Sequence, residues 1–117
     1  MAAPNIVNVS TITGKTAVLA VTTSATAIVA NSAASGKVFK INALYVANVD
    51  GTNAADITVD IFRSSTAYKI AHTVAVPADS TLDVISKSIY LEEGDALRLT
   101  ASANSDLEAV CSYEEIS

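Results

Sequence analysis

Few side chains in this sequence have the type and spacing that covalent chemistry needs. Gly14-Lys15-Thr16 carries the closing letters of a phosphate-binding loop, in which backbone amides and a lysine cradle nucleotide phosphates. That loop also needs a Gly five positions before Gly14, where Val9 stands, and it must lead into a helix. Thr16 instead opens an extended run, so Gly14-Lys15 reads as a turn. Residues 48–56, Asn-Val-Asp-Gly-Thr-Asn-Ala-Ala-Asp, gather oxygen atoms around Gly51 in the manner of a calcium loop. Calcium affinity follows the number of converging carboxylates; only Asp50 and Asp56 are charged, and Ala54 occupies a ligand position. Asp and Asn also build turns by bonding to their own backbone, and that is the reading adopted.

The remaining candidates are single residues or a bare cluster. His72 is the only histidine. It alternates in phase with Tyr68, Ile70, Val74 and Val76, which points it at the core or at a subunit contact. With no second His or Cys nearby, zinc ligation and a catalytic triad both lack partners. Cys111 shares a face with Ala109 and Tyr113 and reads as a small buried hydrophobe. Its neighbours Glu108, Glu114 and Glu115 are acidic, the opposite of what activates a thiol. Glu92, Glu93 and Asp95 could supply a carboxylate pair for acid–base work, but a surface turn accounts for them equally. Asn8-Val9-Ser10 is a formal glycosylation sequon that a cytosolic origin leaves idle. No catalytic, cofactor-binding or metal-ligating residue is assigned, no cofactor is implied, and the expectation is a non-enzyme.

The elements that would position these residues are strands. At 117 residues the chain is one domain, 1–117, with 1–4 as a short N-terminal arm. Half the residues are hydrophobic, yet most are Ala and Val, with six Phe or Tyr and no Trp. The core must therefore be thin. Seven basic residues, spread singly, and a net charge of −5 leave no basic cluster for nucleic acid. One cysteine excludes an internal disulfide and suits a reducing cytosol. The sequence shows no signal peptide, and the uncharged segment 16–36 is too rich in Thr, Ser and Asn for a membrane span.

Alternation with a period of two marks the strands. Leu97, Leu99 and Ala101 point one way, and Leu107, Ala109, Cys111 and Tyr113 do the same in the final strand. Further strands are predicted over 5–13, 16–21, 25–30, 37–49, 56–63 and 68–76, and over 82–85 leading on to 89–91. The run 37–49 is apolar on both faces in its second half, as a central strand covered on both sides would be. Turns fall at 14–15, 50–51, 64–66, 77–80 and 92–95. Eight or nine strands with polar breaks every eight to twelve residues predict an all-β, single-domain antiparallel β-sandwich or jelly roll.

The phrases Asn5-Ile6-Val7-Asn8-Val9-Ser10-Thr11-Ile12, Ala47-Asn48-Val49-Asp50-Gly51-Thr52-Asn53-Ala54-Ala55-Asp56 and Cys111-Ser112-Tyr113-Glu114-Glu115-Ile116-Ser117 resemble small virion structural proteins of tailed bacteriophages, of the cyanophage and marine-phage type. The resemblance implies a non-enzymatic β-sandwich made in the host cytoplasm and built into the virion in many copies. It further implies a capsid decoration (cement) protein, often a homotrimer or other homo-oligomer, whose partners are the major capsid protein or other virion proteins. Neck, collar or tail components share these features. A carbohydrate-binding adhesion module is the alternative from another class, and Tyr45, Tyr68, Tyr90 and Tyr113 are the aromatics it would stack on sugars. Neither nucleic acid nor membrane is an expected partner.

Overall fold

In a computed structural model, residues 8–117 form two packed antiparallel sheets and no helix. The arm expected at 1–4, and the start of the strand expected at 5–13, lie outside the described residues. The strands are β1 (Ile12–Ala20), β2 (Thr26–Ala30), β3 (Val38–Asn48), β4 (Ala55–Arg63), β5 (Thr66–Val76), β6 (Thr81–Asp83), β7 (Ile89–Leu91), β8 (Ala96–Ala101) and β9 (Leu107–Ile116). The first sheet runs β1-β9-β3-β6, with β7 also on β3; the second runs β2-β8-β4-β5. β6 and β7 pair with opposite ends of β3, Tyr45–Ala47 and Phe39–Ile41, so they act as one interrupted strand. Counted that way, eight strands lie four to a sheet in jelly-roll order, as the sequence predicts.

The core is the seam between the sheets. Ile41, Leu44, Val46, Leu91 and Cys111 from the first sheet meet Ile57, Val59, Leu97 and Leu99 from the second, all fully buried. The alternation along β8 and β9 is realised in full: Leu97, Leu99, Ala101, Leu107, Ala109 and Cys111 are all buried. Phe39 and Tyr113 close one end, with ring centroids 5.6 Å apart.

Two buried asparagines tie loops to strand ends. Asn31 Nδ2 donates to the Lys37 and Leu91 carbonyls at 2.9 and 3.1 Å, and its Oδ1 accepts from the Ser35 hydroxyl at 2.6 Å. Asn48 Nδ2 donates to the Asn53 and Val76 carbonyls, both at 2.9 Å, while Oδ1 accepts the Asp50 amide. Each amide satisfies loop carbonyls that would otherwise be buried without partners. Between β4 and β5, Ser64 and Ser65 take φ values of 51° and 61°, the two positive angles of a tight hairpin turn.

Three expectations need correction. Gly14-Lys15 is no turn: both residues lie inside β1, which pairs with β9 from Ile12↔Ile116 to Ala20↔Glu108 without a break. The partner strand comes from the far end of the chain, so local sequence could not reveal the ladder. Nor is β3 covered on both faces, since Tyr45 is 45 % exposed. A register shift between Ile41 and Ala43 leaves Asn42 as an extra residue. The bulge reverses the alternation, so that Phe39 and Ile41 before it and Leu44 and Val46 after it share one inner face. Finally, β5 does not turn its alternating apolar side inward. It is an edge strand with two register shifts against β4, and His72 is exposed, as are Tyr68, Ile70 and Val74.

Candidate interaction surface

The two outer sheet faces differ in chemistry. On the second sheet, Asp60 of β4 lies directly between Arg98 of β8 and Lys69 of β5. The Arg98 guanidinium donates to both Asp60 carboxylate oxygens, at 2.9 and 3.3 Å, and Lys69 Nζ stands at 3.9 Å. Arg98 also covers the Phe62 ring, 4.0 Å from its centroid. The carboxylate is almost wholly removed from water and its charge is matched, so this face is closed by its own side chains.

On the first sheet, Val18 of β1 lies opposite Val110 of β9, and Val110 lies opposite Tyr45 of β3. These three are 75 %, 41 % and 45 % exposed. They form one apolar row across three adjacent strands. The next row towards the C-terminal end of β9 is Thr16, Ser112 and Ala43, which is uncharged. Charges lie in the rows beyond these, with Glu108 beside Ala20 and Ala47 on one side and Glu114 beside Lys40 on the other, while Asp83 stands beside Tyr45. The row sets three large apolar side chains together on the outer face of the sheet.

Ion pairs pin the ends of the molecule. Glu115 accepts from Lys15 at 2.9 Å and from Lys37, and the hydrogen bonds from Lys37 and Lys15 hold its carboxyl below the ordinary value of 4.5. In the β7–β8 turn, Gly94 has φ +87° and the Asp95 amide donates to the Glu92 carbonyl at 3.0 Å, a turn that requires positive φ at its third position. Asp95 is buried and accepts from Arg63 Nε at 2.8 Å and from the Glu92 amide at 2.8 Å. Burial would raise its pKa, but the hydrogen bonds from Arg63 and the Glu92 amide, with the Arg63 charge, outweigh that and hold it below 3.8. Glu93 accepts the Gly36 amide at 2.9 Å. Glu92, Glu93 and Asp95 are thus engaged in turn and loop architecture.

The other candidates are placed as follows. Asp50 Oδ1 accepts the Thr52 and Asn53 amides at 2.8 and 3.2 Å, and these bonds, Thr52 first, lower its pKa. The calcium-like segment is a self-bonded turn. Among the described residues no group of three or more His, Cys, Asp or Glu is placed to hold a metal. Cys111 is fully buried, and burial pushes its thiol up to about 11, the behaviour of a structural rather than a nucleophilic cysteine. Tyr45 and Tyr90 share the outer face of the first sheet, Tyr68 is on β5, and Tyr113 is packed against Phe39. A shallow cleft of about 260 Å³ borders Ile61, Arg63 and Tyr68. A second, of about 220 Å³ along the β5 and β6–β7 margins, is lined mainly by Ile61, Ile70, Val84, Ile85 and Ile89.

Sequence reasoning missed the Val18–Val110–Tyr45 row. Each residue is an unremarkable strand former alone. Only the register of β1, β9 and β3, which are 27 to 92 positions apart along the chain at this row, brings them together.

No family model and no curated protein matches the chain. Among solved structures, it is similar to a protein from work on Bacillus endospore appendages, described there as a novel family of disulfide-linked pili. The match has a TM-score of 0.53 and 17 % identity, and covers 92 % of this chain and 88 % of that one. At this identity the likeness concerns the fold: a small all-β structural protein shares the strand arrangement across almost the whole chain.

Proposed function

We propose that this protein is a non-enzymatic structural subunit that works through its outer surface as one of many identical copies, and that it belongs to a virion as a capsid decoration protein. The observation that carries the reading is the neutral apolar row Val18–Val110–Tyr45 on an otherwise well-satisfied jelly roll. The buried carboxylates of Asp60 and Asp95 are paired with arginines, and the only thiol is inert. A subunit of this design binds a lattice by many weak contacts, which multivalency converts into durable attachment. The pilus-like neighbour supports the polymeric part of the reading. Disulfide linkage, named for that neighbour, does not suit this chain, whose single cysteine is buried. The virion assignment, with the major capsid protein as partner, draws its support from the strand and turn phrases that resemble tailed-phage structural proteins.

The test is quantitative proteomics of purified particles together with light scattering of the isolated chain. A decoration protein is expected in symmetry-related numbers matching the capsid lattice. A low copy number matching a three-, six- or twelvefold ring moves the assignment to neck, collar or tail. A chain that is absent from particles and monomeric at every concentration sinks the structural reading. Tyr45 and Tyr90 on one face support a second reading, sugar adhesion; glycan-array binding lost on Tyr45→Ala or Tyr90→Ala would replace the first.

A further inference from the structure

We propose that β1 pairs, antiparallel and across a two-fold axis, with β1 of a second copy of this chain, so that two first sheets become one continuous sheet. This rests on the many-copy structural reading and names the contact through which copies join. A sheet edge exposes unpaired N–H and C=O groups, and proteins blunt such edges with short strands, bulges or charges. Three of the four edges here are blunted. β2 has five residues and a register shift. β5 shifts register twice, bends at Thr73 with φ 47°, and carries Lys69 and His72. The β6–β7 edge is split into two three-residue pieces.

β1 is neither short nor bulged, and carries one charge. It has nine residues, an unbroken register with β9, and no proline. Among the described residues it has a strand neighbour on one side only. Its single charge, Lys15, is held by Glu115 at 2.9 Å. The side chains along it include Ile12 and Val18, 58 % and 75 % exposed.

Charge does not bar a second copy at this edge. Each molecule carries −5, so most mutual approaches are repulsive. β1 contributes no carboxylate, and its lysine is already compensated within its own molecule. Two such strands satisfy each other along their whole length, which the short or bulged edges could not do for β1. The pairing also carries the Val18–Val110–Tyr45 row across the junction and covers Val18. A two-fold contact is self-complementary and closes on itself, giving even-numbered assemblies.

The experiment is light scattering of the full chain combined with single-cysteine cross-linking. Thr16→Cys, Ala17→Cys and Val18→Cys test β1; Tyr68→Cys and Val74→Cys test β5. The native Cys111 is buried and does not compete. Residues facing across an antiparallel pair have Cα atoms about 4.5–5.5 Å apart, within disulfide reach. Oxidation is expected to convert most of at least one β1 variant into covalent dimer and to leave the β5 variants largely unlinked. Val18→Lys is expected to weaken the dimer by about tenfold or more. Cross-linking as strong from β5 as from β1, or a strict trimer by light scattering, overturns the β1 pairing and leaves the many-copy reading standing. A chain that stays monomeric and is absent from particles overturns both.

Discussion

Asp60 is the most demanding residue in the molecule. It is 1 % exposed on a sheet face, and its carboxylate depends on Arg98 for two hydrogen bonds. Removing Arg98 would leave that charge buried with only the distant Lys69 opposite it. Arg98→Ala is expected to lower unfolding free energy by about 2–4 kcal/mol, because an unpaired buried charge is far costlier than a lost pair. Replacing both partners with apolar residues, Asp60→Leu with Arg98→Met, should recover most of the loss; urea denaturation of both variants checks this, and a double variant no better than Arg98→Ala would refute it. Acid acts on the other carboxylates. Glu115, Asp95 and Asp50 all have lowered pKa values in the folded chain. The unfolded chain therefore takes up protons first as pH falls, and the stability these groups contribute is complete above their ordinary values of 4.5 and 3.8 and is lost as pH drops through the folded ones. The urea midpoint is expected to hold between pH 7 and 5 and to fall steadily below about 4.5; a midpoint that rises on acidification from pH 4.5 to 3 contradicts this assignment.

At the scale of elements, the bulge at Asn42 decides which side of β3 is which. Were Asn42 paired as an ordinary ladder residue instead of bulged, Leu44 and Val46 would turn to solvent and Tyr45 to the core, since a one-residue slip exchanges the faces of a strand. Deletion of Asn42 sets Ile41 and Leu44 two positions apart and so keeps both on the inner face; it is expected to retain cooperative thermal unfolding, followed by circular dichroism, and loss of the transition would show that the bulge itself is needed. The bulge also explains what the sequence could say about this strand. The apolar run at Phe39, Ile41, Leu44 and Val46 was legible, and so was its central place. Its apparent double-faced character was a phase shift, which a single sequence does not distinguish from two covered faces. β5 fails for a related reason: Tyr68, Ile70, Val74 and Val76 alternate well, but an edge strand with two register shifts has no continuous inner surface, and only Val76 at its end is buried. Where strands are regular and central, as in β8 and β9, alternation translated directly into burial.

Across the whole molecule, the chain closes on itself. β9 enters the first sheet between β1 and β3, so the last ten strand residues complete both the sheet and half of the core. A chain truncated after Asp106 loses Leu107, Ala109 and Cys111, all buried, and leaves β1 without any strand partner among the described residues. It is expected to lack amide dispersion in NMR spectra and to show no cooperative transition, because non-local pairing must be complete before burial offsets ordering entropy; a dispersed spectrum from the truncated chain would disprove this. The amino-acid order by itself determined that the protein is all-β and where most strands and turns fall. Those properties live in period-two alternation, turn chemistry and side-chain type, which are local. Only the tertiary structure decided that Gly14-Lys15 belongs to a strand, that Arg98 and Asp60 meet, and that Val18, Val110 and Tyr45 align beside an unblunted edge. Each of these depends on register between distant segments, and register is set by how two sheets share one core.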